Sequence, residues 1–152
     1  LTMHCRNRLG NFEESLKWAD EGLKWAQDIF KKDKNYNIVS YHFFKGAALG
    51  ELRKFAEASI EFDLALNGIE PTSESSRFKI ALYSMHKGAS QVRANIEGGK
   101  ELLKTAIESL ESSELSPFVT KSNSNKIQEL KSLLKDWMPF YWFGTRGVYN
   151  QA

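Results

Sequence analysis

The chain has 152 residues, 41% of them hydrophobic and 26% charged, with a formal net charge of +2. That length supplies one domain with a sizeable core, and the composition is that of an ordinary globular protein. A nearly neutral balance argues against a nucleic-acid surface, which needs clustered basic residues. Lys31, Lys32 and Lys34 form a short basic run interrupted by Asp33, which suits a solvated helix end.

Cys5 is the only cysteine, so an intramolecular disulfide and a cysteine-built zinc site are excluded. The scarcity of thiols fits a reducing compartment, and a cytoplasmic location is expected. No apolar run approaches the roughly 20 residues that span a bilayer, and no signal peptide is visible. Leu1 stands in what reads as the middle of a helix, so an N-terminal part is expected to be missing.

Residues 1–9 read as the end of a helix, closed by Gly10-Asn11, a pair suited to the positive φ of a helix C-terminus. A second helix is expected from Phe12 to Lys32, with Phe12, Leu16, Ala19, Leu23, Ala26 and Phe30 as its buried stripe. Trp18 and Trp25 lie near that stripe and are expected in the core. After a polar loop, helices are expected at 38–52 and 55–68, joined by a tight turn at Arg53-Lys54, with Pro71 as a stop. Ser73 or Ser75 would cap a fifth helix running to Arg93. Asn95 lies in the next turn, and a sixth helix covers 96–111. The segment SSELSP at 112–117 breaks the chain, and a seventh helix spans 118–137, with SNSN at 122–125 weakening its first turns and Pro139 ending it. The tail from 138 to 152 is aromatic and without a clear period. No strand is expected, and the fold class is all-α.

Internal repetition organises the chain. Lys45-Gly46-Ala47 recurs as Lys87-Gly88-Ala89, an offset of 42. Phe55, Ala58, Phe62, Ala65 and Ile69 align with Ile96, Gly99, Leu103, Ala106 and Leu110 at an offset of 41. Phe12, Ser15, Ala19 and Gly22 precede the first four of those positions by 43. Gly46 inside a helix costs about 1 kcal/mol relative to Ala, which a close helix contact would explain. Large and small side chains alternate on the partner helix, so bulk on one helix can fill the space left by its neighbour.

On these residues the chain resembles the tetratricopeptide repeat family. That family has a small residue inside its first helix, then an aromatic and an alanine opening the second, a further aromatic and alanine, and a proline after it. Gly46, Phe55, Ala58, Phe62, Ala65 and Pro71 stand in those places, Pro71 one position late. The resemblance covers residues 1–111 and is strong in the middle unit. The first unit has Ser15 and Gly22 for the alanines, the third has Gly99 and no proline, and His42 stands where the family's first-helix tryptophan would be. The resemblance implies stacked antiparallel helix pairs in a right-handed superhelix: three pairs in 1–111, the first incomplete, a capping helix in 112–137, and the aromatic tail. The units are longer than the family's usual length, as in regulatory tetratricopeptide domains of bacteria.

Catalytic chemistry is not expected. His4, His42 and His86 form no i, i+4 pair and hence no helical metal motif. The carboxylates Glu13, Glu14, Asp20 and Glu21 alternate with Lys17 and Lys24 at spacings of surface ion pairs. Neither a placed nucleophile nor a phosphate loop is visible, and no cofactor or metal is expected. The resemblance implies a concave groove that takes a protein segment or short peptide, with no membrane and no direct nucleic-acid contact. Family groove positions fall on Ser40, Phe43, Ala47 and Gly50, and on Leu82, Met85, Ala89 and Val92 with Arg93 beside them. More loosely, the chain resembles the sensor region of bacterial peptide-responsive regulators. The alternative is an oligomerisation or scaffold segment, in which Trp137, Phe140, Tyr141, Trp142 and Phe143 join subunits.

Overall fold

The computed structural model describes residues 11–32 and 37–135, without the side chains of Phe12 and Phe30. The helix expected over residues 1–9, the aromatic tail and Trp137 lie outside these residues. All regular elements among them are helical, and the chain divides into two compact units at Glu70/Pro71.

The first unit holds α1 (Phe12–Phe30), α2 (Ile38–Glu51) and α3 (Phe55–Asn67). Helix α2 packs against both α1 and α3. Leu49, Ala58 and Phe62 form its buried core, with Leu16 and Phe43 against them. The second unit holds α4 (Glu74–Arg93), α5 (Gly99–Leu110) and α6 (Lys121–Lys131), with 3-10 turns at Ser116–Phe118 and Ser132–Leu134. Its larger core joins Met85 and Ala89 of α4, Leu103, Ile107 and Leu110 of α5, and Ile127, Leu130 and Leu134 from α6 and the turn after it.

The α2–α3 and α4–α5 pairs share two devices. The first is the turn. Arg53 and Asn95, 42 residues apart, have φ of 62° and 57°. The Lys54 N–H donates to the Leu49 carbonyl at 2.9 Å, and the Ile96 N–H to the Gln91 carbonyl at 2.8 Å. Each first helix therefore ends in a left-handed residue whose successor reaches back five positions to a free carbonyl. The second device is close approach. A Cβ on Gly46 would lie 2.9–3.1 Å from the Phe62 ring, and one on Gly88 would lie 2.7 Å from the Leu103 nitrogen and 2.9 Å from its Cα. Phe62 and Leu103 are the residues that the repeat makes equivalent, so one small-against-large contact sets the spacing of both pairs.

The element ends depart from the sequence pattern for local reasons. Helix α5 begins at Gly99 rather than Ile96, because Asn95 and Gly98 (φ 88°) hold the intervening chain in a turn. Helix α6 begins at Lys121, where Thr120 Oγ1 accepts the Asn123 N–H at 3.2 Å. Its Ser124 is buried, so the SNSN segment belongs to the helix because its small side chain fits against the core. Ser73, of the two candidates, caps α4: its hydroxyl accepts the Ser76 N–H, and its own N–H donates to Ser76 Oγ.

Trp18 and Trp25 correct the expectation of a core role, at 41% and 55% exposed. The buried line of α1 runs through Ser15, Ala19, Leu23 and Ala26. Each tryptophan precedes one of its alanines by one residue, which turns it about 100° away on a helix of 3.6 residues per turn. Lys131 was also unforeseen as an interior residue: it is 1% exposed, and its Nζ lies 2.7 Å from Glu111 Oε2. This pair ties α6 to the C-terminal cap of α5.

Three substitutions separate these contacts by urea denaturation. Gly88→Ala meets backbone and is expected to cost about 2–3 kcal/mol, near the upper end of overpacking. Gly46→Ala meets a ring that can shift and should cost less. Gly50→Ala, with open space around it, should be neutral or stabilise by up to about 1 kcal/mol. Equal effects at the three positions would contradict the packing account. Separately, Glu111→Ala removes the carboxylate 2.7 Å from a buried ammonium and should cost about 3–5 kcal/mol, whereas Glu111→Leu combined with Lys131→Met should restore most of that loss.

Candidate ligand-binding face

Ser40, Phe43, Ala47 and Gly50 stand at i, i+3, i+7 and i+10 of α2 and therefore share one stripe. All four are partly exposed. The Phe43 ring leans on Phe62, with centroids 5.6 Å apart, so part of it is core and part is surface. Gly50 has nothing within 4 Å of where its Cβ would be. The end of this stripe is open.

The corresponding stripe of α4 differs. Met85 is 0% exposed and Ala89 3%, and both belong to the core shared with α5 and α6. They are removed from the expected contact residues, because α6 adds an apolar layer to this unit. Leu82 and Val92 are partly exposed, and Arg93 is exposed. In place of Met85 the structure offers His86, which falls with Leu82, Ala89 and Arg93 at i, i+4, i+7 and i+11. A stripe shifted by one residue would have found it. Trp137, Phe140, Tyr141, Trp142 and Phe143 of the alternative interface lie outside the described residues.

Charged groups flank both stripes. In the first unit a network crosses three helices: Asp20 Oδ1 to Lys45 Nζ at 2.7 Å, Lys45 to Glu61 Oε2 at 3.8 Å, and Glu61 Oε1 to His42 Nδ1 at 2.9 Å. Lost hydration alone would lower the Lys45 pKa. The hydrogen bond to Asp20 and the carboxylates Glu61, Asp20 and Glu57 outweigh it, and the net displacement is upward. Sequence reading took Asp20 for a surface partner of a lysine on its own helix; its partner is on the next helix.

In the second unit Lys126 Nζ lies 2.8 Å from Glu129 Oε2. Burial, and then the charges of Lys126 and Arg93, pull the His86 pKa down to about 4, with Glu129 opposing. The Glu129 carboxyl is held below its usual value by its Lys126 hydrogen bond first, against burial, and by the charges of Lys126, Arg93 and His86. The charges of Arg93 and Lys126 therefore reach both His86 and Glu129.

Among the described residues no cluster of His, Cys, Asp and Glu is arranged to hold a metal ion, and no helix is long and apolar enough to cross a membrane. Comparison with family models, with curated proteins and with solved structures finds no match.

The depressed His86 pKa has a signed consequence. Between pH 6.5 and about 4 the unfolded chain binds a proton at His86 that the folded chain refuses. The stabilisation is full above pH 6.5 and fades as pH falls towards 4, amounting to about 3 kcal/mol. Wild type should lose stability across that window in urea titrations, and His86→Gln should flatten the dependence there; an unchanged slope would contradict the assignment.

Proposed function

We propose that the chain is a non-catalytic, tetratricopeptide-like module that binds a short peptide or protein segment along the first helices of its repeated pairs. The observation that carries this is the recurrence of one turn and one glycine contact in two helix pairs. A unit built that way buries one side against its neighbours and leaves a stripe of its first helix to solvent. Stacking such units produces a continuous inner wall, because each unit adds a helix of the same orientation. In this reading the pairs form a right-handed superhelix, α6 is the cap, and the wall runs through Ser40, Phe43, Ala47 and Gly50.

The sequence carries a further recurrence in support. Tyr41 and Lys45 of α2 reappear as Tyr83 and Lys87, and Asp20 and Gly22 of α1 as Asp63 and Ala65. Within the first unit Tyr41 lies against Gly22, close enough that a Cβ there would meet its ring, and Lys45 pairs with Asp20. The residues that join α1 to α2 thus recur in the sequence. The wall of α2 is mostly apolar, which favours an apolar or amphipathic segment. Its narrower form is the peptide-sensing region of a bacterial regulator, where binding would shift the population of curvatures and so the activity of an attached part.

A display library of random short peptides, followed by calorimetry on the enriched sequences, tests this reading. Gly50→Trp fills open space without a clash, so it should weaken binding at least tenfold and leave the melting temperature in place. No enriched sequence, or equal binding to the Trp variant, would sink the proposal.

A further inference from the structure

Asn67-Gly68 is the only Asn-Gly pair in the chain, and both residues are exposed where α3 ends. Packing dictates the glycine. A Cβ on Gly68 would lie 2.6 Å from Val39 Cγ2, and a β-branched side chain has little freedom to move aside. The same glycine leaves its own nitrogen open to the Asn67 side chain, since no Cβ shields the approach. Asparagine is a thermolabile residue, and among the described residues nothing holds the Asn67 side-chain amide by a hydrogen bond.

The end of α3 decides when the two groups meet. The Gly68 N–H donates to the Ala65 carbonyl at 3.2 Å, and the Ile69 N–H to the Leu66 carbonyl at 3.1 Å. These are the tighter, poorer bonds that close a final helical turn. No basic side chain in the last turn complements its carbonyls. Helical backbone at Asn67 turns the Gly68 nitrogen away from the side-chain carbon. Ring closure therefore waits for the last turn to open, and helix ends open at little cost.

We propose that Asn67 is a site of spontaneous covalent modification, at which opening of the last turn of α3 brings the Gly68 nitrogen onto the Asn67 side-chain carbon. That nitrogen gives its proton to solvent and bonds to Cγ. The bond from Cγ to Nδ2 breaks, and the departing nitrogen takes up protons and leaves as ammonium. Water then opens the cyclic imide at either carbonyl, leaving the carboxylate of aspartate or of isoaspartate. Overall, water is consumed and ammonium released in equal amounts, with no other reactant. The new carboxylate stands at the negative end of the α3 macrodipole. Isoaspartate also routes the main chain through an extra carbon, which moves Gly68 off its seat on Val39.

The test is a time course of the whole chain at neutral pH and body temperature, folded and in urea, read by peptide-mapping mass spectrometry. Asn67 should be the first asparagine of the folded chain to convert, with isoaspartate among the products. The folded chain should react about ten- to a hundredfold more slowly than the chain in urea, because a fraying end opens far more often than a whole unit unfolds. Val39→Ala loosens the seat of Gly68 and should speed the folded reaction severalfold. Gly68→Ala is compared in urea, where the clash with Val39 plays no part, and should slow conversion there about tenfold or more. The separated isoaspartate form should melt several degrees below its parent. Prior conversion of a different asparagine in the folded chain overturns the proposal. So does a folded rate equal to that in urea, or one slower by more than about a thousandfold, which would mean that opening the last turn is not enough.

Discussion

Absence of a Cβ at two helix positions is the constraint on which the described structure depends. Gly46 lets the Phe62 ring reach the backbone of α2, and Gly88 does the same for the backbone of Leu103 against α4. Helices that approach this closely bring their flanking alanines into the core, as Ala48, Ala58 and Ala65 show. Dispersion contacts at this density are individually small and collectively large. They offset the helix propensity that a central glycine forfeits. The turns conform to the same demand: a non-glycine residue in left-handed conformation costs about 1–2 kcal/mol, and Arg53 and Asn95 both accept it so that the second helix can fold back at once.

Polar groups set the direction in which each unit is built. In the first unit the Asp20–Lys45–Glu61–His42 network threads three helices and fixes which faces meet. In the second unit the buried Lys131–Glu111 pair does this for α6. Buried ion pairs contribute little net stability against apolar replacements. Their geometry, however, is satisfied by one register of α6 on α5. The two units thus combine the same glycine contact with different polar fastenings.

Much of this was legible in the residues. Helix positions followed from the 3.6 period, and Gly46, Phe55, Ala58, Phe62 and Ala65 announced the pairing because small residues inside helices need a reason. The starts of α5 and α6 were not legible, since Ile96 and Phe118 fit the apolar period and only the backbone turn at Asn95 and Gly98 and the extended cap residue Thr120 exclude them. Trp18 and Trp25 misled because size suggested burial, whereas a one-residue phase difference places them at the flank. Met85 and Ala89 were assigned to a surface stripe by analogy with α2. Ile127, Leu130 and Leu134 marked an apolar face on α6, but the sequence did not say that Met85 and Ala89 of α4 would share its core. The influence of Lys126 on His86 was missed because the two stand on separate helices.

Coupling between the glycine and its bulky partner is the central claim, and a double-mutant cycle measures it directly. Gly46→Ala, Phe62→Leu and the double variant are compared by equilibrium unfolding. If the ring seated on the glycine sets the spacing of the pair, the smaller Leu relieves the added methyl, and the double variant is more stable than the sum of the singles by about 1 kcal/mol or more. Strict additivity would show that the two positions act independently, and the account of how these helices pair would fail.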